Sequence, residues 1–317
     1  MTMTALYIVE RILSRVYLTF KTERHSIIGL MFHSIFNDEK EVSLHTVEPQ
    51  QVTTVDDFRA CIDYFASRGY RFVSPLDIKT GIDPEGNYVL VTLDDGYFNN
   101  SRIIPILEEY CCPAVFFVAS GYVASGKSFW WDVIYRERRR QGIDIRSIRR
   151  ETKMLIRKRL EDRELYLKQH FPKESMYPKG ETDRPFAPDE LRAIAREKYA
   201  YVGNHTSDHL FLPICSSEEI GSQLSRCQDD LSRIVKENCM AVSYPYGAWT
   251  RDILQMSREM GFEIMIAGEQ GKNCFPISDS IPLGRFHVRE NARTSGQCEI
   301  MRSDLRIRHC SNEKFHM

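Results

Sequence analysis

Apolar positions along this chain follow two rhythms, short unbroken runs and segments with a helical period, and their alternation predicts strands separated by helices. Ser26–Phe32 (SIIGLMF) reads as a strand. Thr54 caps a helix with Asp57 three residues on; Phe58, Cys61, Ile62 and Phe65 share one face, and Gly69 stops it. Tyr88–Leu93 (YVLVTL) is a run of β-formers ending at a carboxylate pair, followed by a helix through Ile103, Ile104, Leu107 and Tyr110 and a strand at Ala114–Ser120. Later, Pro188-Asp189-Glu190 opens a short helix and a strand at Tyr199–Gly203 ends at Asn204-His205. A longer helix follows Ser216 or Ser217, then come a strand at Cys239–Tyr244, a helix at Thr250–Met260 and a strand at Glu263–Ala267. Strands joined by helices need crossover connections, which give a mostly parallel sheet. Six or seven such units predict a (β/α) barrel, complete or partial.

Two stretches depart from this rhythm. Between Ala5 and Phe20, Leu6, Ile8, Val9, Ile12, Leu13, Val16, Tyr17 and Leu18 recur at helical spacing, interrupted by Glu10, Arg11 and Arg15. That pattern predicts an amphipathic helix, packed on the domain or laid on a membrane surface, rather than an export signal. From Arg136 to Lys168 there are thirteen basic and six acidic residues, a local excess of +7 in a chain of net charge -1. Its weak helical period predicts an inserted helical excursion over about 127–186, either facing water or docking on an anionic membrane or lipid-linked glycan. The expected organisation is an N-terminal helix over 1–25, a barrel over 26–290 and a C-terminal tail over 291–317.

The charge balance, 43 Lys+Arg against 44 Asp+Glu in 317 residues, argues against nucleic acid as a partner, and 42% hydrophobic residues exclude global disorder. Nine cysteines, an odd number without a Cys-x-x-Cys pair, suit reduced thiols rather than a disulfide framework or zinc knot. Cytoplasmic residence is the expectation, with membrane association as its variant.

Four groups carry candidate chemistry: Asp94-Asp95-Gly96, His205-x-x-x-His209, Tyr244-Pro245-Tyr246-Gly247 and Arg285-Phe286-His287. In a parallel barrel the C-terminal strand ends face one mouth, so the groups converge if the fold is right. Two imidazoles and one carboxylate, His205, His209 and Asp95, make a three-ligand site for a divalent cation with positions left open. Histidines four apart reach one ion if His205 begins a helical turn. Asp94, pointing the other way from Asp95, is placed as a general base, since a cation brings water close to neutral acidity. Backbone N–H groups at the Tyr246-Gly247 turn are candidate oxyanion donors, and His287 is the candidate acid for a departing amine. His33 is a candidate site-lining residue; Trp130 and Trp131 either stack on sugar rings or anchor the insertion in the core. Together these groups describe amide or ester hydrolysis.

At these residues the chain resembles the NodB-homology polysaccharide deacetylases, carbohydrate esterase family four. TLDDGY (Thr92–Tyr97) resembles that family's first motif, base then metal ligand; NHTSDH (Asn204–His209) resembles the second, the metal histidines. SYPYG (Ser243–Gly247) is similar to the third, which lines the groove with residues such as Tyr244, Pro245 and Tyr246; MFHSI (Met31–Ile35) is similar to an early strand of some members. The resemblance implies a distorted (β/α) barrel, a divalent metal (usually zinc, sometimes cobalt or manganese) and removal of N-acetyl groups from an N-acetylated saccharide. The chain departs where the third motif commonly has an arginine that bonds the base; it has Ser243, so either another arginine, such as Arg285, orients Asp94 or the base is less constrained. The fourth motif has no counterpart downstream, and the fifth is represented by Phe286-His287. Alternatives are a relative acting on a small non-sugar amide, or a non-catalytic glycan-binding protein.

Overall fold

The structure is a computed structural model that describes residues 3–49, 52–288 and 294–305. Its strands are β1 (Ser26–Phe32), β2 (Ser34–Phe36), β3 (Val52–Thr54), β4 (Arg71–Phe72), β5 (Asn87–Leu93), β6 (Ala114–Val118), β7 (Ala200–Asn204), β8 (Ala241–Ser243), β9 (Ile264–Ile266), β10 (Asn273–Cys274) and β11 (Arg285–His287). The main sheet runs β10-β1-β5-β6-β7-β8-β9, with β4 also on β5 and β11 also on β1; only β10 is antiparallel. Leu283 exchanges backbone bonds with Met265 and Ala267 while β11 pairs with β1, so residues 283–287 close the curl between its two ends.

Local sequence explains the elements. Six of the seven β5 residues are buried, as befits a parallel strand covered on both faces. The Val55–Ala66 helix begins at the expected Thr54–Asp57 capping box, and Ser216–Glu219 caps the Ser217–Val235 helix in the same way. Gly29 answers a contact: it lies opposite Arg285 in register, and a Cβ there would stand 2.6 Å from Gly284 O and 2.8 Å from Arg285 Cγ. Only a bare backbone lets the arginine pass.

The insertion is more embedded than its composition predicts. Its helices Trp130–Arg140, Ile145–Ile156 and Leu160–His170 bury Val133, Ile134, Ile148, Leu155 and Leu167 in one cluster with Phe36, Val52 and Tyr97 of the barrel. Several of its basic residues pair within the protein: Arg136 with Asp183, Arg138 with Glu151 and Arg149 with Glu48. The +7 excess therefore overstates the charge offered to solvent.

The N-terminal helix, Met3–Phe20, docks through its polar edge. Ser14 bonds Ser303, Tyr17 bonds Asp304 and Arg11 faces Glu299. Ile8, Val9, Ile12, Leu13, Val16 and Phe20 stand outward, 44–79% exposed. The sequence pattern is amphipathic as read, but its apolar stripe is turned away from the domain. Thr294–Arg302, assigned above to a tail, is a helix packed between this helix and Val55–Ala66. No described helix is long and apolar enough to cross a membrane.

Candidate active site

The sheet delivers each group from a strand end. Asp94 and Asp95 follow β5, His205 follows β7, Ser243 closes β8, Arg285 and His287 lie on β11, and His33 follows β1. Asp94, Asp95, His205 and His209 are 5% exposed or less.

Asp95, His205 and His209 each offer a donor atom, all within 4.8 Å of one another. Asp95 Oδ1 lies 3.4 Å from His205 Nε2 and 3.2 Å from His209 Nε2. Donors bound at ~2 Å to one tetrahedral ion lie roughly 3.3 Å apart, so these residues fit a divalent cation. His205 Nδ1 donates to Ser243 O at 2.8 Å, which leaves its Nε2 lone pair facing Asp95, the orientation a ligand needs. Burial and the carboxylates pull opposite ways on the two imidazoles. At His209 burial wins and lowers the pKa to about 4, whereas Asp94 and Asp95 outweigh burial at His205 and raise it. Asp95 is held low by both histidines despite its burial.

The histidines do not meet through a helical turn. Residues 205–211 form a loop in which Thr206 and His209 take left-handed backbone angles, φ 61° and 50°. Asp95 (φ 75°) and Tyr246 (φ 59°) share that region. Such residues cost of order 1–3 kcal/mol each and persist where the surroundings over-determine them, here the site itself.

Asp94 is clamped by Arg285. Nη1 donates to Oδ1 at 2.6 Å and Nη2 to Oδ2 at 2.7 Å. The remaining donors reach Thr92 Oγ1 (2.8 Å), Ser243 Oγ (2.9 Å) and Ala267 O (3.3 Å), so all five N–H groups have acceptors. Burial alone would raise the Asp94 carboxyl, but the charge and bonds of Arg285, aided by His205 and His33, hold it below the ordinary value. Ser243, standing where the family's third motif has arginine, accepts from Arg285 and contacts Asp94 Oδ2 at 3.3 Å. Asp94 Oδ2 lies 3.9 Å from His205 Nε2, beside the ligand set.

The third-motif turn divides its residues. Tyr246, 38% exposed, has its ring 4.7 Å from that of His209. Pro245 is buried and starts the turn. The structure does not bring Tyr244 into the site: its ring packs with Leu212, Ile253 and Leu254, and its hydroxyl bonds Ser257. The Gly247 N–H is engaged by Tyr244 O, leaving Tyr246 N–H as the turn's candidate oxyanion donor. Gly247 touches Gly268 backbone to backbone; a Cβ there would lie 2.3 Å from Gly268 Cα. His33 and His287 face each other at 5.3 Å, and burial lowers the pKa of His33.

The insertion supplies a wall that the motifs do not announce. The Trp131 ring lies 4.7 Å from His209, and its Nε1 donates to Tyr97, whose hydroxyl donates to Asp132. The family's fourth motif combines Asp and Trp downstream; here Trp131-Asp132 precedes the second motif, and only proximity in space exposes its place.

Residues 81–265 match the sequence profile of the polysaccharide deacetylase family. The chain belongs to the polysaccharide deacetylases. Among solved structures it is similar to the Streptococcus pyogenes deacetylase PplD (16% identity, 88% of this chain and 99% of that one, TM-score 0.61). It is also similar to IcaB from Ammonifex degensii (17%, 87% and 97%, 0.56) and to a de-N-acetylase from Aggregatibacter actinomycetemcomitans (17%, 86% and 99%, 0.58). Comparison with curated proteins returned no match. The curled sheet is thus the (β/α) barrel of the NodB-type deacetylases, and the family activity is carbohydrate deacetylation.

Proposed function

We propose that this polysaccharide deacetylase is a metal-dependent hydrolase that removes N-acetyl groups from an amino-sugar glycan or its precursor. The observation carrying this reading is the juxtaposition of a three-ligand set with a separate, arginine-clamped carboxylate. Asp95, His205 and His209 would hold the cation, zinc first by the chemistry of the donors, cobalt or manganese next. When bound, it acidifies water and polarises the acetamide carbonyl. Asp94 accepts the proton of the attacking water, and Arg285 keeps that carboxylate ionised and aimed. Tyr246 N–H faces the carbonyl oxygen as it gains charge. His287, beside His33, donates a proton to the amine nitrogen as the C–N bond breaks, and acetate and free amine leave.

Because the ligand set is nearly closed off, the acetamide enters as a projecting substituent past Tyr246 and Trp131. Acetate release from N-acetylated saccharides, abolished by chelator and restored by zinc, is the expected result. Full metal occupancy without turnover on any acetylated sugar would instead support a binding protein.

We further place the protein in the cytoplasm, at the membrane face, acting on a precursor. The outward stripe of the Met3–Phe20 helix supports the membrane contact, with exposed Arg15, Lys21 and Arg24 suited to anionic headgroups. Flotation with anionic vesicles that is lost in Ile12→Glu/Val16→Glu checks it; recovery outside the cell would refute it.

A further inference from the structure

We propose that the cavity between the insertion and the barrel is a subsite for an anionic group, a carboxylate or phosphate borne next to the reacting acetamido sugar. This deepens the deacetylase reading and rests on it. The cavity encloses about 170 Å³, well above the ~30 Å³ share of one water. Tyr122, Trp130, Leu160 and Leu167 form its apolar wall, and Arg163 its one buried cation.

Arg163 is 2% exposed. One guanidinium nitrogen, Nη2, donates to Asp208 O at 3.0 Å; the other, Nη1, has no hydrogen-bond partner. The group lies 5.1 Å from the Trp130 ring centroid, and no carboxylate forms an ion pair with it among the described residues. A buried charge left in this state is costly, and an anion seated in the cavity would offset that cost. The carboxylates nearby are engaged elsewhere: Asp208 accepts from Gln223 and Arg226, and Glu164 faces Lys168. Lys127, exposed, adds positive charge to the cavity lining, where Lys168 is paired with Glu164.

Position ties this cavity to the chemistry. Asp208 of its wall immediately precedes the ligand His209, and Trp130 precedes Trp131, which packs on His209. The cavity therefore borders the loop and the helix that carry His209 and Trp131, and an anion held by Arg163 would belong to a neighbouring substituent of the sugar. The guanidinium fork suits both a planar carboxylate and a phosphate.

The test compares three probes on full-length enzyme: neutral N-acetylglucosamine oligomer, the same sugar carrying a 3-O-lactyl carboxylate, and its 1-phosphate. Turnover is read by acetate release and binding by tryptophan fluorescence, with and without chelator. Wild type should bind an anionic probe at least about tenfold more tightly than the neutral one, the range of a hydrogen bond to a charged group. Whichever anion gains more names the source. Arg163→Met should erase that preference while leaving neutral-sugar turnover within about twofold. Should Arg163→Met fail to fold by near-UV circular dichroism, Lys127→Ala/Lys168→Ala at the periphery should reduce the preference severalfold. Equal losses for neutral and anionic probes, anion binding that disappears with chelator, or no anionic preference in wild type would each overturn the proposal. Fluorescence-detected anion binding without any deacetylation would leave the subsite standing and sink the deacetylase reading instead.

Discussion

Arg285 and Arg163 are both almost fully buried beside the site, one contributed by the barrel and the other by the insertion. Arg285 satisfies all five donors and neutralises a carboxylate, whereas Arg163 makes one backbone bond and leaves Nη1 without a partner. The first arrangement is complete within the protein, as a group that holds catalytic geometry must be before substrate arrives. The second is complete only with something added, as a group that reads substrate must be. Rigid barrel strands carry the former; helices laid over the mouth carry the latter.

The sharpest cut on the barrel side is Asp94→Asn. It keeps the shape and the ligand set but removes the proton acceptor, so kcat should fall roughly 10²–10⁴-fold with metal content unchanged. Metal analysis beside acetate assays separates the two halves of this statement. Activity surviving with bound metal would assign the base elsewhere.

Arg285→Met comes next. It leaves Asp94 as a buried charge without its partner, a loss of about 3–5 kcal/mol in unfolding free energy. The pKa of Asp94 now lies below its ordinary value because Arg285 outweighs burial; without Arg285, burial raises it. The acid limb of kcat/KM should therefore move to higher pH, and kcat should fall by up to about 100-fold from misplacement of the base. In wild type the same pair stabilises the fold above the ~3.9 of an unfolded aspartate and loses that contribution as pH falls through the lower folded value. An unmoved acid limb would show that Arg285 does not set the charge of Asp94.

How far these pieces were visible in the sequence follows from distance along the chain. Asp94-Asp95 and His205/His209 announce themselves because each pair is local, and their strands are apolar runs that end at the pair. The Arg285–Asp94 contact spans 191 positions and was suggested only by the vacancy at Ser243. Tyr244 was misplaced because the turn that starts at Pro245 and puts Tyr246 in left-handed backbone angles swings the two tyrosines apart, and only Tyr246 faces His209. The helical turn expected at His205 is a left-handed loop, since Thr206 and His209 meet the geometry of the site before they meet local preference. The insertion was read by charge, yet Arg136 and Arg149 pair with carboxylates as far apart in sequence as Asp183 and Glu48, pairings that no local pattern encodes.

A smaller perturbation tests the clamp through its neighbour. Gly29→Ala places a methyl 2.8 Å from Arg285 Cγ and 2.6 Å from a backbone oxygen that cannot retreat easily. Overpacking of this kind costs about 1–3 kcal/mol. Activity should drop less than in Arg285→Met but with the same upward move of the acid limb, because the guanidinium is displaced rather than lost. Stability loss with an unchanged pH profile would mean that β1 shifts and the clamp does not.

The mildest change probes the insertion half. Tyr97→Phe removes the hydroxyl that accepts from Trp131 Nε1 at 2.9 Å and donates to Asp132 at 2.7 Å. Asp132 keeps the Glu48 N–H at 2.9 Å, so the loss should be ~1 kcal/mol for each of the two hydrogen bonds removed. Trp131 then loses the bond that fixes its ring against His209. If the insertion positions substrate and the barrel performs the chemistry, KM should rise a few-fold while kcat and its pH limbs stay put, the signature of binding lost equally from ground and transition states. A fall in kcat comparable to that of Arg285→Met would erase the division between the two halves, because the insertion would then be holding the reacting geometry as firmly as the barrel does.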